Sequence, residues 1–284
     1  MESNTLKAII NIKNLNNYDL DTIYPPESEM VANNRIQAVG ARLEAFIKDA
    51  YANSFNEVEK INFYSKYFSY LGNANNPPDS MLKDGDAIEV KKLASSGQSI
   101  QLNSSFPKDK LHSHDRLITN ECRSCENWTE KDMLYTLGIV ENKAKMKSLL
   151  FVYGDCFAAD EEVYLKVKNR LVDSIKSLPD SQETNELGRI NNVDPLGITN
   201  LRVRGMWILE NPYKIFKKFI NSNSNNPNFS FASLMKKEKY DSFPNKDKNS
   251  ILNDEDIILE EVKILNPNNP AKQMDAIVIR FDVP

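Results

Sequence analysis

The sequence predicts a mixed α/β protein in which helices flank a mixed or parallel β-sheet. Two observations lead to this fold class. Segments with the three- and four-residue apolar spacing of helices alternate with shorter strand-like segments along the chain. Two of the strand-like segments, MLYTLGIVEN and KSLLFVYGD, are nearly continuous apolar runs, which is typical of strands buried on both faces.

Composition indicates an ordinary globular chain. Of its 284 residues 40% are hydrophobic and 27% charged, which is enough apolar material for a core, and we expect one domain. Within it, residues 1–60 should be mainly helical and residues 61–220 should form the core that carries the functional residues. Residues 221–284 should hold a surface loop at an Asn/Ser tract and then strands. The formal charge of −4 does not favour a protein that coats nucleic acid indiscriminately, although a basic cleft is compatible with it.

Membrane and secreted proteins fit poorly. The opening residues, MESNTLKAIINIKNLNN, lack the basic lead and the apolar run of a secretory signal. No stretch approaches the roughly 18 apolar residues that span a bilayer. Three cysteines in a chain of this length do not form a disulfide framework. We therefore expect a cytoplasmic protein.

The first clear helix is predicted over residues 33–53, because Val39, Leu43, Phe46 and Ile47 recur at spacings of three and four. The aromatic-rich segment 61–72 alternates in part and is predicted to be a strand. After the two apolar strands, residues 160–178 have acidic residues at their start and helical apolar spacing, which predicts a second long helix.

The C-terminal part is predicted as follows. Residues 199–209 read as a strand, and NPYKIFKKFIN after it reads as a short amphipathic helix with proline near its start. Two late segments, DIILEEVKIL and DAIVIRFDV, are predicted to be strands of a terminal hairpin or edge.

A hairpin is predicted over residues 75–93, NNPPDSMLKDGDAIEVKKL. Successive side chains of a strand point to opposite faces, so Glu89 and Lys91 share one face. With a three-residue loop and Gly85 in the left-handed conformation, Asp79 falls opposite Glu89. A two-residue loop would instead pair Ser80 with Glu89 and turn Asp79 to the other face.

An Asp, a Glu and a Lys on one hairpin suit metal-assisted phosphodiester hydrolysis. Opposed carboxylates with Cβ atoms about 5 Å apart repel each other unless a hard cation lies between them. Asp79 and Glu89 are therefore predicted to bind Mg²⁺, with Lys91 orienting the attacking water and offsetting developing charge. The alternative is that Glu89 and Lys91 form the solvated face of an edge strand.

These residues also carry a resemblance. Pro78-Asp79 followed by Glu89-Val90-Lys91 resembles the signature of the PD-(D/E)xK nucleases. Four longer blocks are similar, in the same order, to the NgoPII-type family of type II restriction endonucleases: FSYLGNANNPPDSMLKDGDAIEVKK, LNSSFPKDKL, CRSCENWTEKDMLY and DPLGITNLRVRGMW. Together with the helix before them they span about residues 40–207, and nothing after residue 221 matches.

The resemblance implies a restriction-endonuclease-like fold, a mixed β-sheet flanked by helices. It also implies a homodimeric, Mg²⁺-dependent enzyme that cuts double-stranded DNA within the palindrome GGCC and leaves 5′-phosphates. A cognate DNA methyltransferase would be its functional partner. Carried onto this sequence, the signature residues are Asp79, Glu89 and Lys91, with Glu44 on the helix as an auxiliary acid. A repair or structure-specific nuclease of the same superfamily, or an inactive DNA-binding module, is the alternative.

An enzyme that cuts duplex DNA at one sequence must read base edges and hold phosphates. Guanine offers O6 and N7 to a bidentate arginine, and Asn200, Arg202 and Arg204 are predicted to project from one face of the 199–209 strand. The alternative is that Arg202 and Arg204 are edge-strand arginines that pair with nearby acids. A second candidate set for base contacts is Arg189, Asn191 and Asn192. Candidate phosphate contacts are Lys92, Lys108 and Lys110.

One competing cluster leaves a different chemistry open. His112, His114, Cys122 and Cys125 offer two imidazoles and a CxxC pair that suit a structural zinc. The HxH spacing is unusual for zinc and the second CxxC of a typical site is missing.

Overall fold

The structure is a computed structural model that describes residues 3–25, 35–73, 76–103, 105–141, 144–221 and 227–284. It confirms the mixed α/β class, because within these residues nine strands form one mixed sheet with helices against it. None of the described helices is long and apolar enough to cross a membrane. Residue 75, at the start of the predicted hairpin, and residues 222–226 of the predicted surface loop lie outside the described residues.

The described helices are α1 (Thr5–Lys13), α2 (Leu20–Ile23), α3 (Arg35–Ala52), α4 (Lys60–Tyr67), α5 (Asn120–Ser124), α6 (Glu161–Lys176), α7 (Pro212–Ile215), α8 (Lys217–Ile220), α9 (Lys237–Ser242) and α10 (Asn245–Leu252). The described strands are β1 (Phe68–Tyr70), β2 (Ser80–Leu82), β3 (Ala87–Leu93), β4 (Ile100–Asn103), β5 (Lys110–His112), β6 (Glu130–Val140), β7 (Met146–Tyr153), β8 (Ser181–Gln182), β9 (Gly188–Ile190), β10 (Leu201–Val203), β11 (Met206–Leu209), β12 (Phe229–Lys236), β13 (Ile258–Asn266) and β14 (Asn269–Val283).

The large sheet runs in the order β1-β2-β3-β6-β7-β12-β14-β13, and β5 pairs with the start of β6. The β3–β6 and β7–β12 pairs are parallel, whereas β6–β7 and β12–β14 are antiparallel. The two apolar runs predicted to be buried strands are β6 and β7, near the middle of this sheet. Two smaller sheets, β10-β9-β8 and β11-β4, lie outside it.

The helix predicted over residues 33–53 corresponds to α3, with residues 33 and 34 outside the described residues. Its apolar stripe is confirmed, since Leu43, Phe46 and Ile47 are fully buried. A glycine on the sheet lets α3 approach closely. A Cβ at Gly138 of β6 would lie 2.7 Å from the Leu43 Cδ2 atom, which no real contact allows. This packing holds Glu44, the neighbour of Leu43, over the β3–β6 part of the sheet.

Two predicted strands are partly wrong. Most of segment 61–72 is helical (α4), and its last part forms β1. Its aromatic residues also recur at helical spacing, and Tyr64 packs edge-on against Phe68 with ring centroids 6.0 Å apart. The predicted strand 199–209 is divided at Arg204-Gly205 into β10 and β11, which pair with β9 and β4 respectively.

The remaining predicted elements are largely confirmed. The second long helix is α6, although its apolar residues Val163, Val167 and Leu171 are about half exposed instead of buried. The segment after β11 forms two short helices, α7 and α8, and the two late segments form the β13–β14 hairpin. The sequence did not predict β12, which lies inside the sheet between β7 and β14.

Candidate active site

The β2–β3 hairpin has the register that a three-residue loop produces. Ser80 of β2 pairs with Ile88 of β3. One position further from the turn, the same register sets Asp79 opposite Glu89. The other register, in which Ser80 would face Glu89 and Asp79 would point away, is not adopted.

The turn itself departs from the prediction in one detail. The Leu82 amide donates to the Asp86 carbonyl at 2.9 Å, which closes a loop of three residues. Within it Asp84, and not Gly85, adopts the left-handed conformation, with a φ of 51°. Aspartate tolerates this conformation better than most residues because its short side chain bonds locally. The buried Lys131 of β6 fastens the turn, since its Nζ donates to the Leu82 carbonyl at 3.1 Å and to the Gly85 carbonyl at 2.8 Å.

Asp79 is oriented by main-chain atoms on two sides. Its Oδ2 accepts a hydrogen bond from the Val90 amide at 2.6 Å. Behind it, Gly72 lies so close that a Cβ at this position would be 2.2 Å from the Asp79 carbonyl oxygen. Gly72 also has a φ of +71°, which favours glycine. The Asp79 carboxylate is therefore aimed by its backbone surroundings.

The negative charges of Asp79 and Glu89 are only partly offset by the positive charge of Lys91. Burial and then the negative charge of Glu89 raise the pKa of Asp79 to about 7, and Lys91 offsets this only in part. Glu89 Oε1 accepts from Lys91 Nζ at 2.6 Å, but Glu89 Oε2 is buried and has no hydrogen-bond partner among the described residues. Burial lowers the pKa of Lys91, but the negative charges of Glu89 and Asp79 raise it by more. The net effect is a raised pKa, so the ammonium stays charged.

A cavity of about 160 Å³ opens in front of these side chains. Gln101, Lys108 and Tyr135 are among the residues that line it. Tyr135 is the parallel neighbour of Glu89 in the sheet, and its hydroxyl accepts a hydrogen bond from the Lys108 amide at 2.9 Å. Sequence reasoning did not single out Gln101 or Tyr135. Gln101 lies just before one of the blocks shared with the family and Tyr135 ends another, but only the pairing of distant strands brings them to the site.

Glu44 lies on α3, within electrostatic range of the site residues. Burial raises the pKa of its carboxyl, the positive charges of Lys48 and Lys91 lower it, and the negative charge of Glu89 raises it again. The net effect is a raised pKa. The charges of both Lys91 and Glu89, on one face of β3, therefore act on Glu44.

The residues present fit a divalent cation. A buried carboxylate oxygen without a donor and a neighbouring buried aspartate with a raised pKa both mark negative charge that a cation would neutralise. Among the described residues no group of three or more His, Cys, Asp or Glu is gathered around one point. A site with two carboxylates suits Mg²⁺, which keeps several waters and takes only one or two protein carboxylates.

The structure does not assemble the zinc alternative. The His112 and His114 rings stack on each other with centroids 5.1 Å apart. Cys122 Sγ contacts Met81 Sδ at 3.4 Å, and Cys125 Sγ donates to the Cys122 carbonyl at 3.1 Å. All four are described residues, yet they form no common ligand group.

The predicted DNA-reading residues gather on the small β10-β9-β8 sheet. Arg189 of β9 stands directly opposite Arg202 of β10, so both side chains project from one face. Asn191 and Asn200 lie two positions from these arginines along their respective segments, beyond the strand ends. Arg204 lies just beyond the end of β10, and its Nε donates to Glu186, the carboxylate to which Arg202 Nε also donates. The structure therefore brings the three arginines together, and the two amides follow at the ends of the same strands.

The three predicted phosphate-binding lysines have different surroundings. Lys92 projects from the face of β3 opposite to Lys91, so it does not join the carboxylates. Lys108 is buried, and its Nζ bonds Asp115 Oδ1 at 2.7 Å. Lys110 Nζ bonds Asp132 Oδ1 at 2.5 Å. Lys108 and Lys110 are thus tied to acids within the fold instead of standing free on a loop.

Comparison with known proteins adds independent information. A family model described as NgoPII restriction endonuclease matches residues 3–265. The chain is 43% identical over 282 residues to the type II restriction enzyme NgoPII of Neisseria gonorrhoeae, an alignment that covers 98% of this chain and 99% of that protein. No solved structure matches significantly.

Proposed function

This chain belongs to the NgoPII restriction endonuclease family, and on that premise we propose that it hydrolyses phosphodiester bonds of double-stranded DNA at a short palindrome through Asp79, Glu89 and Lys91. It is a type II restriction endonuclease, a site-specific deoxyribonuclease. The observation that supports the proposed site is the convergence of Asp79 and Glu89 across the β2–β3 hairpin, with Lys91 bonded to Glu89.

Asp79 and Glu89 would hold Mg²⁺, which supplies Lewis-acid stabilisation of charge on the scissile phosphate. The protein groups do the rest. Lys91 is held by one hydrogen bond to Glu89, and its ammonium has two more N–H donors to orient a water or a phosphate oxygen. Because its pKa is raised, Lys91 keeps its charge while negative charge develops on the phosphate. Glu44 is proposed as an auxiliary acid beside this pair.

DNA recognition is proposed for the arginine-bearing face of the small sheet, with Arg189, Asn191, Asn200, Arg202 and Arg204 directed to base edges. A palindromic site calls for a reader with two-fold symmetry, so we propose a homodimer. By resemblance to the family the site is GGCC and the products carry 5′-phosphates. A cognate methyltransferase would protect the same sequence in the host. Lys92 is kept as a proposed phosphate contact away from the carboxylates.

The proposed organisation is simple. We propose that residues 1–284 form one PD-(D/E)xK endonuclease domain that acts in the cytoplasm. Strands from residue 68 to residue 283 share the large sheet, which supports a single unit.

The test is digestion of a mapped plasmid with and without Mg²⁺, followed by sequencing of the ends. We expect discrete fragments with ends inside GGCC and 5′-phosphates, and no cutting when EDTA is present. A smear of fragments would point to a nuclease without sequence recognition. Cutting at another palindrome would keep the enzyme class and overturn the proposed site.

A further inference from the structure

We propose that Glu186 is a positioning residue that clamps Arg202 and Arg204 side by side so that they read two neighbouring guanines. The inference rests on the function proposed above and adds to it a residue that belongs to no motif in the sequence.

The clamp is visible in two hydrogen bonds. Arg202 Nε donates to Glu186 Oε2 at 2.7 Å, and Arg204 Nε donates to Glu186 Oε1 at 2.6 Å. One carboxylate thus holds both arginines, one on each oxygen. The Glu186 side chain is only 9% exposed, whereas the two arginine side chains are 64% and 62% exposed. The acid lies beneath the surface and the guanidinium groups extend from it.

Both hydrogen bonds to Glu186 use Nε, the guanidinium nitrogen nearest the backbone. A guanidinium has five N–H donors, and a bond through Nε uses one of them. The terminal edge, formed by Nη1 and Nη2, is the part that can bond guanine O6 and N7 together. Fixing Nε removes rotamer freedom from a long side chain without consuming that edge, which lowers the entropy lost on binding.

Spacing supports a pair of adjacent bases as the target. Arg202 lies on β10 and Arg204 is the first residue after it. Residues two apart in extended chain have Cα atoms about 6.6 Å apart. Successive bases on one DNA strand are about 3.4 Å apart. Convergence on the two oxygens of Glu186 draws the guanidinium groups toward the smaller separation. Two guanines in a row are the target chemistry that two such arginines match.

Charge supports a polyanionic partner for this face. Arg189 stands directly opposite Arg202, and like charges in that position destabilise a sheet. Glu186 neutralises one of three positive charges, and its hydrogen bonds from Arg204 and Arg202 keep the pKa of its carboxyl below the usual range despite partial burial. The face therefore keeps a net positive charge while two of its arginines are held together.

A simple surface ion pair is the competing explanation, and it makes the opposite prediction. If Glu186 only occupied the arginines, removing it would free them and strengthen DNA binding on all sequences alike. If Glu186 positions them, removing it reduces the preference for the cognate sequence while binding to unrelated DNA is unchanged or stronger, because a negative charge has been lost.

The experiment measures single-turnover cleavage of short duplexes in Mg²⁺. One duplex carries GGCC, and others carry a single substituted base pair at each guanine. The proteins are wild type, Glu186→Gln, Arg202→Ala/Arg204→Ala, and the triple variant. Glu183→Gln is the matched control, because Glu183 is an exposed acid three residues away that pairs with Arg116 and Lys176. Thermal unfolding verifies that each protein is folded.

For Glu186→Gln we expect the ratio of cognate to substituted cleavage to fall by roughly 5- to 150-fold, the value of one lost bidentate contact. The amide of glutamine can accept from one arginine but presents N–H to the other. One arginine is then no longer held, and its bidentate contact with guanine is lost. The variant with all three substitutions should discriminate as Arg202→Ala/Arg204→Ala does, because the proposed effect of Glu186 on discrimination passes through these arginines. Glu183→Gln should keep the wild-type ratio.

Each failure has a distinct origin. If wild type itself does not distinguish GGCC, the proposed recognition function is wrong. If wild type distinguishes it and the double variant does so equally well, the arginines are not the readers. If the double variant loses discrimination while Glu186→Gln keeps it, the clamp is wrong. Should Glu186→Gln not fold, Glu186→Asp, which keeps the charge but is too short to reach both Nε atoms, must lower the same ratio.

Discussion

Asp79 stands opposite Glu89 across a hairpin that a three-residue turn sets in register. Neither residue is special alone: one follows a proline in an irregular segment and the other lies on a strand. The register turns them into a pair, and burial makes the pair unfavourable unless positive charge balances it. Lys91 supplies part of that balance at Glu89 Oε1, and Glu89 Oε2 is left buried without a donor.

Removing the charge of Asp79, Glu89 or Lys91 should strongly reduce the cleavage rate. Asp79→Asn and Glu89→Gln keep the shapes but remove the charge that would hold Mg²⁺, and Lys91→Ala removes the ammonium. We expect each to lower the cleavage rate at least about 10²- to 10³-fold, as loss of one charge-stabilising group does, with DNA binding retained. Cleavage of a GGCC duplex and its equilibrium binding are the measurements. Glu57→Gln, at an exposed position, is the control and should cut normally. Weakened binding with unimpaired cutting would contradict the assignment.

The metal-free protein should lose stability as the pH rises toward 7. The pKa of Asp79 is about 7 in the folded chain against an ordinary value of 3.8, so the folded state binds the proton more tightly. The stability that this proton provides is complete below about pH 3.8 and is lost as the pH rises through about 7. In EDTA, the free energy of unfolding of Asp79→Asn, measured with denaturant, should therefore exceed that of wild type by an amount that grows from pH 5 to pH 7. Equal pH profiles for the two proteins would contradict the raised pKa.

The affinity for Mg²⁺ should depend on the protonation of Asp79. Protons compete with the cation for Asp79, so the apparent affinity for Mg²⁺ should rise with pH up to about 7 and then level. Calorimetry in buffers of different ionisation enthalpy should detect proton release on binding near pH 6. Release should be absent in Asp79→Asn. Affinity that is independent of pH between 5 and 7 would exclude Asp79 as a ligand.

Arg204→Ala should relax specificity more than it weakens binding in general. A bidentate contact to guanine contributes about 1–3 kcal/mol of discrimination against the wrong base. Cleavage of GGCC duplexes should fall relative to duplexes with a substituted guanine. A uniform loss on all sequences would instead identify Arg204 as a phosphate contact. Arg170→Ala, at an exposed site on α6, is the matched control for removal of one surface arginine.

Lys131→Met should destabilise the β2–β3 hairpin, because Lys131 is bonded to its turn. The Lys131 ammonium bonds two carbonyls of the turn and forms an ion pair with Glu126 that is mostly buried. Removing it leaves Glu126 without its counter-charge, which costs roughly 3–5 kcal/mol for a buried pair. Denaturant unfolding measures this loss. The double variant Lys131→Met/Glu126→Gln should recover part of the stability, and no recovery would mean that the bonds to the turn dominate.

Gly72→Ala should affect activity through Asp79. The added methyl would lie 2.2 Å from the Asp79 carbonyl oxygen, so the backbone that aims this carboxylate must shift. Alanine is also strained at a φ of +71°. We expect a loss of cleavage greater than the loss at Gly97→Ala, where the nearest atom to the added methyl lies 3.9 Å away. Equal activities of the two variants would show that the close contact does not position Asp79.

Prediction from the sequence succeeded where local pattern decides the structure. The apolar stripe of α3 follows from helical spacing, and the register at Asp79 and Glu89 follows from turn length and strand alternation. It failed for segment 61–72, where helical and alternating patterns coexist. It also failed in part for residues 199–209, where one strand-like run supplies strands to two different sheets. In both cases the partners that select the conformation are distant in sequence.

The sequence by itself determined the hairpin, the order of its three charged residues and the family resemblance. The first two depend on residues close together in the chain, and the resemblance depends on the residues of short contiguous blocks. Only the tertiary structure decided that Tyr135 lies beside Glu89, that α3 brings Glu44 near Lys91, and that one buried carboxylate at position 186 holds two arginines. Such relationships depend on which strands pair and which helix packs on them. Those choices are made by burial over the whole chain, and no local pattern encodes them.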